Sequence, residues 1–176
     1  SRLRPRGPPP GTTTDPTATG GQAPGTYPTE QAKLEAALPK FQAAADAYPS
    51  SEAGQMARFH AARALVALGR FDEAVKQYDQ VIAGNSQLLS RSARLGKAEA
   101  QLRAAQYDPA IATLKQIVDQ KDASLPADAV LMELARAYRL AGKTDDARKT
   151  LQQVVEQHAD SMYASEAKAE LEKLKG

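Results

Sequence analysis

The chain repeats one pattern of apolar positions along most of its length. In the segment "LGRFDEAVKQYDQVIAGN", residues 68–85, apolar side chains recur at i, i+1, i+4, i+7 and i+8. That spacing places them on one stripe of a helix. The segment "AAQYDPAIATLKQIVDQK", which starts at Ala104, keeps the apolar pattern while its polar residues differ. Four copies of the stripe are present: Ala37, Leu38, Phe41, Ala44 and Ala45; Ala74, Val75, Tyr78, Val81 and Ile82; Ala110, Ile111, Leu114, Ile117 and Val118; and Ala147, Leu151, Val154 and Val155.

The intervals between the copies are nearly constant. Ala37, Ala74, Ala110 and Ala147 are separated by 37, 36 and 37 residues. A period in this range, with room for two helices, marks a helical solenoid, in which stacked neighbours bury stripes that a single unit leaves exposed. Asp108 is the predicted N-cap of the fifth helix. The sequence predicts an all-α domain over residues 30–176 with about eight antiparallel helices, at 29–48, 50–68, 71–83, 86–105, 108–119, 125–141, 144–158 and 160–175.

Residues 1–29 have a different composition. They contain 7 Pro, 5 Gly and 7 Thr with almost no large apolar side chains, so they are predicted to form a disordered linker. The linker holds Arg2, Arg4, Arg6 and Asp15, which leaves the remaining residues with 20 basic and 20 acidic side chains. This balance argues against a nucleic-acid-binding surface. The linker is read either as a flexible tail or as a tether that follows a membrane anchor upstream.

Candidate catalytic chemistry is sparse. The chain has no cysteine and only two histidines, His60 and His158. His60 is expected to pack within a helix, and His158 is expected near a helix C-terminus. The paired acids Asp72–Glu73 and Asp145–Asp146 are expected at helix N-termini, where the macrodipole favours negative charge. We therefore expect no enzyme activity, no cofactor and no metal.

The residues at the start of the second helix of each unit resemble those of the tetratricopeptide repeat family. That family has a 34-residue unit with small and aromatic residues at set positions. The matching residues are Gly69, Phe71, Ala74 and Tyr78; Tyr107 and Ala110; and Tyr138, Gly142 and Ala147. The chain departs from the family pattern at the position of the terminal proline, which Ser86, Asp122 and Ala159 replace, and at Thr144, which replaces an aromatic residue.

This resemblance implies a right-handed superhelix in which the first helix of each hairpin lines a concave, partner-binding face. The family register then places eight residues in the groove: Met56, Phe59, Arg63, Leu95, Glu99, Met132, Arg136 and Arg139. Apolar side chains beside arginine suit an amphipathic or acidic-ended peptide, because the guanidinium group binds carboxylates in a bidentate geometry. The alternative is that several of these residues fill the interface within each hairpin.

The segment "DAYPSSEAGQMARFHAARALVALGRFDEAVKQY" is similar to the bacterial-envelope branch of the family. That branch includes the membrane-anchored ancillary subunit of the Sec translocon, which the order of linker and repeats resembles most. The expected function is a non-catalytic protein-interaction module on the periplasmic side of a membrane, working with secretion or envelope-assembly machinery. A cytoplasmic location is the alternative, and a self-assembling scaffold is the alternative function. The oligomeric state is left open.

Removal of residues 1–29 should leave the thermal midpoint of unfolding unchanged within error, because the linker contributes no apolar stripe to the stack. The check is a thermal melt of the shortened and full-length chains. A drop of several degrees would show that the segment packs on the repeat domain.

Overall fold

Helical hairpins stack side by side along the chain. The computed structural model describes residues 27–120 and 125–175, and all regular structure in those two ranges is α-helical. This confirms the predicted all-α, repeat-type fold. The eight helices of the described ranges are α1 (Glu30–Ala47), α2 (Glu52–Ala67), α3 (Phe71–Ile82), α4 (Gln87–Arg103), α5 (Tyr107–Asp119), α6 (Ala127–Leu140), α7 (Thr144–Gln157) and α8 (Ala164–Lys173).

Each helix packs mainly on its neighbours in sequence, and α2 also contacts α4. The helices α2, α4 and α6 are therefore the first helices of successive hairpins, and α3, α5 and α7 are their second helices. The contact between α2 and α4 places first helices next to one another in one layer. Alanine occupies the same buried position of each hairpin, since Ala74, Ala110 and Ala147 are all 0% exposed. No helix in the described residues is long and apolar enough to cross a membrane.

Six helix starts differ from the prediction by one to four residues, and side-chain contacts account for two of these differences. The N-cap of α5 is Gln106, not Asp108, and the Asp108 carboxylate instead accepts a hydrogen bond from Lys143 Nζ of the next hairpin at 2.7 Å. The helix α8 begins at Ala164, four residues later than expected. Ser161 explains the delay, because its hydroxyl donates to the Asp128 carboxylate and also accepts from the Tyr163 backbone N–H at 3.0 Å.

The last residue of the predicted linker, Thr29, directly precedes the first helix of the structure. The side chain of Thr29 is the N-cap of α1 and accepts from the Ala32 backbone N–H at 3.0 Å. A deletion that includes Thr29 therefore also removes a cap, which is typically worth about 1 kcal/mol. A deletion that ends at Pro28 tests the linker alone. The other predicted linker residues, 1–26, lie outside the described ranges.

A buried arginine joins the first three helices. Arg58 on α2 is 8% exposed and donates to the Ala45 carbonyl at 3.3 Å and to the Asp46 carboxylate at 3.2 Å, both on α1. It also donates to the side-chain oxygens of Gln77, at 3.1 Å, and Gln80 on α3. These acceptors satisfy most of the guanidinium donors, so the charge is not buried without partners.

The turns from first to second helix share a left-handed residue. Gly69, Ala105 and Gly142 have φ values of 74°, 57° and 73°, and they lie at equivalent positions of the three hairpins. The residue after each donates its backbone N–H to a carbonyl one turn back in the first helix at 2.8 Å. This bond ends a helix by placing one residue in the left-handed region, where glycine is favoured. Ala105 therefore carries backbone strain that its two equivalents avoid.

A close approach between α3 and α4 depends on Gly96. A Cβ atom added there would lie 2.4 Å from Cζ and 2.5 Å from Oη of Tyr78, which is 2% exposed. In the next two hairpins, Leu114 and Leu151 occupy the position of Tyr78. The larger side chain of Tyr78 on α3 is thus accommodated because Gly96 on α4 has no side chain.

Substitution of Ala105→Gly should raise the free energy of unfolding by about 1 kcal/mol, because it removes the left-handed strain of a residue with a Cβ atom. Denaturant titration measures the change. Gly142→Ala is the matched control and should lower stability by a similar amount. A less stable Ala105→Gly protein would contradict the strain argument.

Substitution of Gly96→Ala should lower the free energy of unfolding by about 1–3 kcal/mol, since the new methyl group overlaps the Tyr78 ring. Adding Tyr78→Leu should recover part of that loss, because leucine serves at the equivalent positions 114 and 151. The check is a double-mutant cycle by denaturant titration. Strictly additive losses would show that the two residues do not compete for the same space.

Candidate functional site: a groove face of first helices

The predicted partner-binding residues lie on a surface that we call the groove face, defined as the outward side of α2, α4, α6 and α8. Arg63, Glu99 and Arg136 are separated by 36 and 37 residues, so they occupy the same position on three successive first helices. All three side chains are exposed. The stacking that buries the apolar stripes therefore brings three separate charges onto one surface.

A cavity on the groove face lies between α6 and α8 and has a volume of about 420 Å³. Three of the predicted residues, Met132, Arg136 and Arg139, line its α6 side. Its floor is made by residues of α6 and α7, with Leu151 among them. The α8 side adds Tyr163 at the entry to that helix, with Glu166, Glu170 and Leu174 along it.

A second cavity of about 400 Å³ lies between α4 and α6. It is lined by Glu99, Leu102 and Arg103 of α4 together with Glu133 and Arg136 of α6. Arg136 lines both cavities, so its guanidinium group stands at their common wall. Two of the predicted residues, Glu99 and Arg136, are thus brought together here.

The predicted residues of α2 have different environments. Met56 is 38% exposed, and Arg63 forms no salt bridge with any residue in the described ranges. Phe59 is half-buried and packs edge-on against the Tyr78 ring, with 5.9 Å between ring centroids. Leu95 on α4 is likewise half-buried against the core. Phe59 and Leu95 therefore contribute to packing within the stack, as the alternative interpretation allowed.

Charges on the groove face are partly paired. Arg136 lies 3.6 Å from the Glu133 carboxylate, and both side chains are at least half exposed, so the pair is weak and open to competition. Glu99 lies 3.8 Å from Arg103, whose guanidinium group also stands 5.0 Å above the Phe71 ring. Arg63, Arg136 and Arg139 are exposed and at most weakly paired in the described ranges, so an incoming carboxylate can reach them at low cost.

The electrostatic environment links neighbouring helices. Burial raises the pKa of the Tyr78 hydroxyl to about 12; the Glu99 charge adds to the rise, and the Arg63 charge opposes it. A hydrogen bond from Lys173 Nζ, 2.6 Å long, is the main cause of a lowered pKa for the Glu170 carboxyl, and the Arg139 charge contributes further. Positive and negative side chains thus face one another across the groove.

The sequence interpretation missed Tyr163, Glu166, Glu170 and Arg103. It placed no groove residue on the last helix, and the acids of α8 are not part of the repeated pattern. Arg103 could have been found, because it lies one helical turn beyond Glu99.

The two histidines do not line the groove cavities. His60 stacks on Phe41 with 5.5 Å between ring centroids, and His158 is the C-cap residue of α7.

Solved structures with a similar fold are helical repeat proteins. The TPR-like repeats of a kinesin-light-chain-like protein from Podosopora anserina have 21% identity and a TM-score of 0.66, covering 81% of this chain and 77% of that one. MamA (residues 41 to the end) from Desulfovibrio magneticus RS-1 has 19% identity and a TM-score of 0.58, covering 81% of this chain and 86% of that one. At these identities the similarity concerns the fold alone. No curated protein sequence matches the chain.

Two family models match within the repeat domain, both described as tetratricopeptide repeat. One covers residues 59–126, from α2 to the start of α6, and the other covers residues 129–161, from α6 to the turn before α8. These ranges contain the hairpins whose first helices build the groove face. Together the two matches cover more than half of the chain, which therefore belongs to the tetratricopeptide repeat family.

Proposed function

We propose that this chain is a non-catalytic protein-interaction module that binds an amphipathic, acid-bearing segment of a partner protein on its groove face. Tetratricopeptide repeats mediate protein–protein interaction, and they are typically not catalytic. The observation that carries the proposal is the position of Arg136, which lines both groove cavities and is exposed beside apolar side chains. A guanidinium group at a shared wall can bind a carboxylate whichever cavity the partner enters.

The groove chemistry suggests how a partner would be oriented. An apolar side chain of the partner would enter the cavity between α6 and α8, where Met132 adapts its shape to different occupants. Carboxylates of the partner would bind Arg136 and Arg139 on the α6 wall. The acids Glu166 and Glu170 on the opposite wall repel a second carboxylate, so the charge pattern selects one direction of the bound segment.

For the cellular setting we propose attachment to a bacterial envelope membrane through a segment upstream of residue 1, with action alongside secretion or envelope-assembly machinery. Two features of the sequence support this proposal. One is the similarity of residues 46–78 to the envelope branch of the family, and the other is the basic, Pro/Gly/Thr-rich composition of residues 1–29. The groove proposal does not depend on this setting.

The double substitution Arg63→Ala with Arg136→Ala should weaken peptide binding by roughly tenfold or more, because each loss removes a charge-assisted contact. The probe is an array of amphipathic helical peptides that differ only in whether they carry Asp or Asn at their polar positions. Binding of the Asp peptides to the native chain should also fall with added salt, and this dependence should be smaller in the double variant.

Lys115→Ala with Lys149→Ala is the control, because it removes the same charge from exposed positions of second helices. The control should bind the Asp peptides as the native chain does. Circular dichroism should show that both double variants keep their helicity. A folded Arg63→Ala, Arg136→Ala protein that binds every peptide normally would place the binding surface elsewhere. If light scattering shows that the mass of the native chain rises with its concentration, and that the Arg63→Ala, Arg136→Ala variant does not show this rise, the chain is a self-assembling scaffold instead.

A further inference from the structure

The helix α1 has the register of a second helix, but no first helix covers it among the residues that the structure describes. Its stripe aligns with those of α3, α5 and α7, since Ala37 falls at the position of Ala74, Ala110 and Ala147. Each of those three helices packs between the first helix of its own hairpin and the helix that follows it. Among the described residues, α1 packs mainly on α2, which takes the role of the following helix.

Burial identifies the side of α1 that is left open. The position of Ala44 is occupied in the other hairpins by Val81, Ile117 and Val154, which are 1%, 4% and 0% exposed, whereas Ala44 is exposed. Ala37 is only half-buried, although its three equivalents are fully buried. On the other side of α1, Leu38 and Ala45 are buried against α2. The open side is therefore the one that a first helix covers elsewhere.

The rim of the open side contains aromatic and apolar groups. Phe41 is half-buried there, while its equivalents Tyr78, Leu114 and Leu151 are at most 3% exposed. The His60 ring of α2 stacks on Phe41 at 29° between ring planes. These rings form a wall against which a covering helix can pack.

The residues that would supply the covering helix by register do not have a helix-forming sequence. Residues 15–30 lie 37 residues, or one period, before α2, which is the position expected for a first helix that pairs with α1. They contain three prolines and three glycines. Proline removes a backbone donor and glycine lowers helix propensity, so the sequence predicts no helix over this stretch. A helix that covers α1 must come from another source.

Lys40 shows what chemistry the covering helix should have. At the equivalent position of the next hairpin, Gln77 accepts a bond from Arg58 of its covering helix at 3.1 Å. One hairpin further, Thr113 donates to Gln101 of its covering helix at 2.8 Å. Lys40 is exposed and has no such partner in the described ranges, so its three ammonium donors are available to an acceptor on an occupant.

The charge of the open side distinguishes between possible occupants. Lys33 and Lys40 alternate with Ala37 and Ala44 at spacings of four and three residues, which places all four on one seam. Glu30 lies on the same seam and is paired with Lys33 at 3.6 Å, so Lys40 is the seam charge without a partner in the described ranges. A second copy of α1 would add another Lys40, and residues 1–26, with three arginines and one aspartate, have a net charge of the same sign as Lys40. An acidic occupant is complementary to Lys40.

We propose that the open side of α1 is a second docking site, separate from the groove face, for an amphipathic helix of a partner protein. The apolar face of that helix covers Ala37, Phe41 and Ala44, and large side chains fill the space that the two alanines leave. An Asp or Glu of the partner binds Lys40. This contact takes the place of the Arg58–Gln77 and Gln101–Thr113 hydrogen bonds of the next two hairpins. The partner helix thereby completes the first hairpin.

The test uses two peptides based on α6, "ADAVLMELARAYRL", which covers α7 in the native stack. Position 138 of α6 is equivalent to Gln101, the residue that bonds Thr113 at the position equivalent to Lys40. One peptide therefore carries Tyr138→Glu and the other Tyr138→Lys. Each is titrated into the full ¹⁵N-labelled chain. The Glu peptide should shift the amide signals of residues 33–47 and bind about tenfold more tightly than the Lys peptide, the effect of one charge-assisted contact.

Lys40→Glu in the protein should reverse this preference, so that the Lys peptide binds about tenfold more tightly. Lys115→Glu, an equal charge change on the exposed side of α5, should leave the preference unchanged. The Arg63→Ala, Arg136→Ala variant should also bind the Glu peptide normally, because the two surfaces are separate. This control keeps the outcome independent of the groove proposal.

Three results would overturn the second docking site. The first is an absence of shifts on α1 with either peptide at millimolar concentration. The second is a shift of α1 signals with protein concentration alone, which would make a second copy the occupant. The third is movement of the signals of residues 1–26 together with those of α1 when peptide is added, which would make the chain's own N-terminal segment the occupant.

Discussion

Close helix crossings at alanine are the constraint on which the rest of this structure depends. Ala74, Ala110 and Ala147 lie fully buried where the two helices of each hairpin meet. A methyl group there lets the backbones approach, and the larger stripe residues one turn on then fill the space on either side. Because the same small residue recurs at this position in each hairpin, neighbouring hairpins can stack in a similar way.

The same crossings determine where function can reside. The stripe residues are buried, so the repeated positions that remain exposed on first helices carry the chemistry of the groove face. At one such position the chain has Arg63, Glu99 and Arg136 in succession. The backbone places three side chains on one surface, and their identity differs from repeat to repeat without disturbing the fold. Binding specificity can thus change while the stack remains intact.

The two ends of the stack are completed differently. At the C-terminal end, α8 covers the last hairpin and its acids form one wall of the larger cavity. At the other end, α1 has no covering helix among the described residues, and its small, basic seam is partly exposed. Solenoid ends need a surface that differs from the interior, because they have no further repeat to bury them. The larger groove cavity and the proposed second docking site therefore lie toward opposite ends of the described stack.

The sequence by itself determined the helices, the order of the hairpins and the family, because the spacing of apolar residues follows from the helix period and is local along the chain. It also placed Met132, Arg136 and Arg139 together on one helix face. Only the tertiary structure decided that Phe59 and Leu95 belong to the packing, that Arg58 joins three helices, and that α8 faces α6. Those outcomes depend on the distance and angle between helices, which side chains far apart in sequence set jointly. The open side of α1 likewise became visible only when the burial of equivalent positions in all four stripes could be compared.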